Sequence, residues 1–497
     1  MPKPLTPRLE SLRAEIEGYA REYGLDFFPT VFEVLSSEEL NMVASYGGFP
    51  TRYPHWRWGM EYEQLSKGYE YGVSKIYELV INNDPTYAYL MESNTEVDQK
   101  LVMAHVFGHA DFFKNNFAFA HTHRRMIDQM ANHATRVRRW IDKVGVDKVE
   151  DFIDRCLSLE NLIDQHAPFV RREPDSKRRE EENRANETVS GFKVGREYMR
   201  GYINPSEFLE SERRKVERDR EDQKRFPERP ARDVLSFLLD HAPLEDWESD
   251  LLSIIREEAV YFAPQGQTKI MNEGWASYWH STIMTRRALR DSEIIDYADR
   301  HAGTMGVRPG VINPYKLGLE LFRDIEDRWN KGRFGKDWEQ CDSQAERSAW
   351  DKQTGEGRAK LFEVRRHYND ITFIDTFLTP EFCLDQKLFT YGFNEKRGSW
   401  EITAREFKQV KDKLLQQLTN FGQPIIEVVD ANHENRGELL LVHRHDGQDL
   451  KSDHARETLV GLHALWKRPV HLVTRHDGQG VLLGYDGQGH QEKKLEL

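Results

Sequence analysis

Two histidines four residues apart, His105 and His109 in Met103-Ala-His-Val-Phe-Gly-His-Ala-Asp111, sit in an apolar run whose spacing predicts a helix. On a helix, residues i and i+4 share a face with Cβ atoms about 6 Å apart, so both imidazoles can reach one ion about 2.1 Å from each nitrogen. A third ligand is expected far downstream, in Met271-Asn-Glu-Gly-Trp-Ala-Ser-Tyr-Trp-His280, where Glu273 lies on a second predicted helix. His, His and Glu, with water in the fourth position, is the ligand set of many zinc enzymes. The expected cofactor is therefore a divalent metal, zinc before others. Asp111 and Asn272 are expected to accept the imidazole N–H groups and so fix the rings.

The residue after His105 is Val106. Zinc peptidases carry glutamate there, as the base that takes a proton from water, and valine accepts none. Glu257 and Glu258, on the predicted helix preceding Glu273, and His280, two turns after it on the same face, are the candidates to replace that base. A competing reading is a packed core pair: with 19 histidines in the chain, one such spacing arises by chance.

The elements that must position these residues read as mainly helical. Leu9, Leu12, Ile16 and Tyr19 recur at helical spacing. Ser36 or Ser37 caps a short helix, and Gly68 to Met91 reads as a β-ribbon with Glu78, Asn82 and Asn83 on a polar face. Helical patterns cover 96–119 and 121–167, then 233–239 and 247–262; Pro264-Gln-Gly-Gln-Thr268 breaks the pattern before a helix from about Lys269 to Arg290. Asn313-Pro314 opens another. Residues 1–420 are thus expected as a mainly helical domain holding a zincin-like helical metal site, with a charged insertion of both signs over about 171–233. Residues 421–497 are expected as a small α/β domain, strands bounded by Asp-Gly turns around one helix, with Arg444-His-Asp-Gly-Gln448 echoed at 475–479 as turn chemistry.

A net charge of −13 argues against a general nucleic-acid binder. No apolar run approaches the length of a membrane span, no signal peptide is expected, and three scattered cysteines argue against a disulfide framework. A reducing, cytoplasmic setting follows as the expectation.

Three stretches taken together, Tyr77-Glu-Leu-Val-Ile-Asn-Asn-Asp-Pro85, His105-Val-Phe-Gly-His-Ala-Asp-Phe-Phe-Lys-Asn-Asn116 and Met271 to His280, resemble the stage V sporulation protein R family over nearly the whole chain. The resemblance implies a cytoplasmic bacterial protein, linked in spore-formers to spore cortex formation and found in other bacteria alongside a serine protein kinase. It implies no established reaction. The histidine pair and Glu273-Gly-Trp-Ala are also similar to gluzincin-type metallopeptidases, which matches His105, His109 and Glu273 to zinc ligands, whereas Val106 departs from that pattern. Two functions stay open: a metal-dependent hydrolase of a peptide or cell-wall-precursor bond, and a non-catalytic regulatory or scaffold protein working with a kinase.

Overall fold

The computed structural model describes residues 3–70, 76–170, 210, 214, 226–394 and 397–495. The expected charged insertion therefore lies outside the described residues up to 225, apart from Glu210 and Arg214. The chain divides into two compact units, Met1–Glu150 with Tyr261–Gly422, and Asp151–Val260 with Gln423–Leu497. No described helix is long and apolar enough to cross a membrane.

In the first unit, β1 (Lys3–Pro4) and β2 (Thr30–Leu35) flank α1 (Pro7–Glu22), which Thr6 caps and Pro7 starts. After α2 (Ser37–Ser45) and α3 (Trp56–Glu70) come β3 (Glu78–Ile81) and β4 (Thr86–Met91). The strands form one sheet in the order β1-β2-β4-β3; β2 and β4 pair in parallel, which the crossover through α2 and α3 permits. The next helix, α4 (Glu96–Asn115), is opened by a Thr95/Asp98 capping box and buried from Val97 to Phe113 except at Leu101. Burial on every side marks it as the central helix rather than an amphipathic surface one.

α5 (Met126–Val144) and α6 (Val146–Ser158) follow, then α7 (Val234–His241), α8 (Asp246–Gln267) and α9 (Lys269–Ile283). The expected break over Pro264–Thr268 falls at the end of that stretch: α8 runs through the proline and the interruption is at Thr268. Proline removes only its own N–H, and the Thr268 hydroxyl donates to the Pro264 carbonyl at 2.7 Å. Besides three short α-helices, the rest of the first unit contains α10 (Ile294–Thr304), α11 (Pro314–Asn330), α12 (Gly357–His367), α13 (Asp370–Phe377), the hairpin β5 (Thr390–Asn394) and β6 (Ser399–Ala404), and α14 (Phe407–Leu418).

Lys100 of α4 donates to both Glu293 carboxylate oxygens at 3.0 and 2.8 Å, with both side chains buried. Burial alone would raise the Glu293 carboxyl, but Arg290 and Lys100 pull it down to about 2. A folded-state value below the ordinary 4.5 contributes stability that is present above pH about 4.5 and lost as pH falls towards 2. Equilibrium unfolding between pH 5 and 2 should show this loss, and Glu293→Gln, which has no proton to gain, should flatten it. An unchanged acid slope in that variant would assign the loss to other carboxylates.

The second unit contains a five-stranded sheet in the order β11-β10-β9-β8-β7, from β7 (Ile426–His433), β8 (Glu438–His443), β9 (Val470–His476), β10 (Gln479–Tyr485) and β11 (His490–Leu495). β8 and β9 are parallel, joined by α15 (Ser452–Trp466). The sheet-containing C-terminal part thus agrees with the expectation of strands around one helix. The Arg-His-Asp-Gly-Gln echo forms two turns tied by Asp449, which bonds His445 Nε2 at 2.8 Å and accepts from the Asp477 amide at 2.9 Å.

Candidate metal centre

The site depends on how closely α4 and α9 approach. Gly108 makes this approach feasible: a Cβ there would lie 2.7 Å from Ala276 Cα. The start of α9 is fixed by buried Asp370, which accepts from the amides of Ile270 and Met271 at 2.8 and 2.9 Å. Burial pushes the Asp370 carboxyl up to about 7 against those two bonds. Trp275 Nε1 donates to Asp111 Oδ2 at 2.8 Å and locks α9 onto α4.

Asp111 therefore does not serve the imidazoles as expected. It also accepts from the Asp26 amide at 2.7 Å and lies 3.4 Å from Arg365 Nε, while burial raises its carboxyl to about 6. Two residues beyond His109, it emerges on a different side of α4 from the histidine face. Asn272 does serve: its Oδ1 lies 2.9 Å from His109 Nδ1, so that nitrogen carries the proton and Nε2 keeps its lone pair.

The ring nitrogens of the two histidines converge with the Glu273 carboxylate. His105 Nε2 and His109 Nε2 stand 3.0 Å apart, and Glu273 Oε2 lies 3.7 and 3.5 Å from them. The ligand atoms of the three residues all lie within 4.8 Å of one another, the one such group among the described residues. Four ligands about 2.1 Å from a tetrahedral ion stand about 3.4 Å from each other, so these separations fit a metal. Glu273 Oε2 is moreover buried without a hydrogen bond, a costly state for a carboxylate oxygen unless something else partners it.

The electrostatics show a negative field from Glu273 and Glu78 at the histidine pair. Burial opposes charge on His105, but Glu273 and Glu78 outweigh it and hold that imidazole above its ordinary value. Burial and the neighbouring His105 take His109 down to about 4. Burial would raise Glu273, yet the two histidines and the Tyr315 hydroxyl keep it lowered and ionised.

Of the residues expected to act as base, His280 is at the cluster: its Nδ1 lies 3.0 Å from His105 Nδ1, and burial holds its imidazole far below the usual value. Glu257 and Glu258 belong to the second unit; Glu257 accepts from Ser253 at 3.4 Å and Glu258 is buried. Sequence reasoning missed two residues. Glu78 of β3 brings Oε1 to 4.0 Å from His105 Nε2, and burial raises its carboxyl. Tyr315, in the first turn of α11, stacks on His105 with ring centroids 6.1 Å apart. The signal for Glu78 was its place on the polar face of the 77–85 stretch; for Tyr315 only the Asn313-Pro314 cap was visible.

A family model described as "SpoVR like protein" matches residues 5–423, and one described as "SpoVR-like C-terminal domain" matches residues 424–477. A protein of Escherichia coli (strain K12) named "Uncharacterized protein YcgB" is 30% identical over 514 residues, covering 96% of this chain and 93% of its own length. No solved structure matches the chain.

Proposed function

The chain belongs to the SpoVR family, and from that premise we propose that its first unit is a zincin-like divalent-metal protein, zinc before others, that hydrolyses a peptide or cell-wall-precursor bond. The observation that carries the reading is the convergence of His105 Nε2, His109 Nε2 and the orphaned Glu273 Oε2 on one point. Bound zinc would supply Lewis acidity toward water and a substrate carbonyl. The remaining work falls to the chain. Glu78, whose Oε1 is 4.0 Å from a ligand nitrogen, is the proton acceptor that Val106 cannot be, entering from a strand instead of the histidine helix. Asn272 fixes the His109 tautomer, and His280, kept neutral by burial, orients the His105 ring. The setting is the cytoplasm, in spore cortex formation or a stress response.

Metal analysis of the purified full chain tests the centre: about one zinc per chain is expected, falling to about a tenth in His105→Ala and Glu273→Ala. Equal contents in all three proteins, or none in the wild type, sink it. A second reading, a non-catalytic scaffold working with a serine protein kinase, draws on Val106, fully buried where a peptidase places its base. Zinc that stabilises the fold without any Glu78-dependent hydrolysis fits that reading instead.

A further inference from the structure

None of the cluster's residues lines a cavity elsewhere in the first unit, about 370 Å³ in volume, bounded by the 307–317 segment, the 382–391 segment and α14. That volume is in the range of small-molecule sites, about 300–1,000 Å³. The floor is apolar, formed by buried Leu317, Phe382, Val410 and Leu414.

The rim has the opposite character. Arg308, Lys316, Lys387 and Lys413 line it, and no described Asp or Glu does. The chain as a whole carries 84 acidic against 71 basic residues, so an acid-free rim with four cations runs against its composition. Among the described residues none of the four has an ion-pair partner. Lys411, on the same helix as Lys413, by contrast pairs with Asp375 at 2.8 Å, so what sets the rim apart is that four cations without counter-charge line one cavity. Like charges gathered without counter-charge over a low-dielectric floor repel each other and focus a positive potential into the cavity, which an anion relieves.

We propose that this cavity binds a small amphipathic anion, its apolar body on the Leu317–Leu414 floor and its carboxylate or phosphate among the four cations. A neutral apolar compound would leave the cations unpaired, and a polar anion would leave the floor in water. Only a ligand with both parts satisfies both surfaces. The inference uses none of the metal-site residues and stands or falls apart from the reading of that site.

Titration calorimetry of the full chain with decanoate, decyl phosphate and decanol, below micelle formation, tests it. At least one anion should bind about tenfold or more tightly than decanol, with affinity falling as salt rises. Binding of one anion alone identifies the head group. The Lys387→Glu/Lys413→Glu pair should weaken that anion about tenfold or more, whereas Lys408→Glu, exposed on α14 and outside the lining, should leave it within about twofold. If the double variant fails to fold, Lys316→Met carries the test with a loss of about threefold or more. The proposal is overturned if neither anion binds, if decanol binds as tightly as both, or if the folded variants keep wild-type affinity.

Discussion

Gly274→Ala is expected to cost about 3 kcal/mol or more, the upper end of what overpacking a core exacts. A Cβ on Gly274 of α9 would stand 2.4 Å from both Cα and C of Gly318 on α11, and one on Gly318 would stand 2.2 Å from Ile270 O. Backbone meets backbone there, so no side chain can swing aside and the helices must separate. Glu273 adjoins Gly274, so the displacement passes directly to the carboxylate of the proposed centre, and metal retention should fall with stability. A thermal melt followed by circular dichroism should show Tm lower by roughly 4 °C or more. Gly59→Ala is the contrast: it lies within α3, where an added methyl would meet open space, and alanine there should be neutral or slightly stabilising. A Gly274→Ala protein melting within about 2 °C of wild type would mean that the interface yields more easily than its geometry implies.

The same contacts explain what the sequence could and could not disclose. The histidine pair and Glu273 were legible because helical spacing and an apolar setting are local signals, and the helices carrying them need no long-range information. Glu78 was not. It is one carboxylate on a short strand, and it reaches His105 only because β3 pairs antiparallel with β4 and the sheet meets α4, a relation no spacing encodes. Asp111 misled for a local reason, since closeness in sequence to His109 suggested a shared role while helical geometry turns it toward Trp275. The composition of the second unit was equally hidden: the described residues within 151–260 join the C-terminal segment, through pairing such as Ala231 with Val428, and such a bridge between distant residues leaves no periodic trace.

If the first unit is a hydrolase, Glu78→Gln should lower turnover by about 10²–10⁴-fold, the range for loss of a general base, and leave zinc content unchanged. Glutamine keeps the size and the hydrogen bonding of the side chain but cannot take a proton. The wild-type rate on a panel of dipeptide p-nitroanilides and a purified muropeptide should rise with pH through a carboxyl titration above the ordinary 4.5, because burial raises the Glu78 carboxyl and only its ionised form accepts a proton. That limb should vanish in Glu78→Gln. His280→Ala should behave differently: through loss of the contact that orients His105, it should weaken zinc binding by about 10–100-fold while the pH limb persists at saturating metal. Glu257→Gln and Glu258→Gln should leave the limb in place, since the contacts that define the centre run through Glu78 and His280. A Glu78→Gln enzyme with full zinc and wild-type turnover would remove Glu78 from the chemistry. A wild type loaded with zinc and inert toward every member of the panel would shift the balance toward the scaffold reading, in which the same three ligands staple α4 to α9.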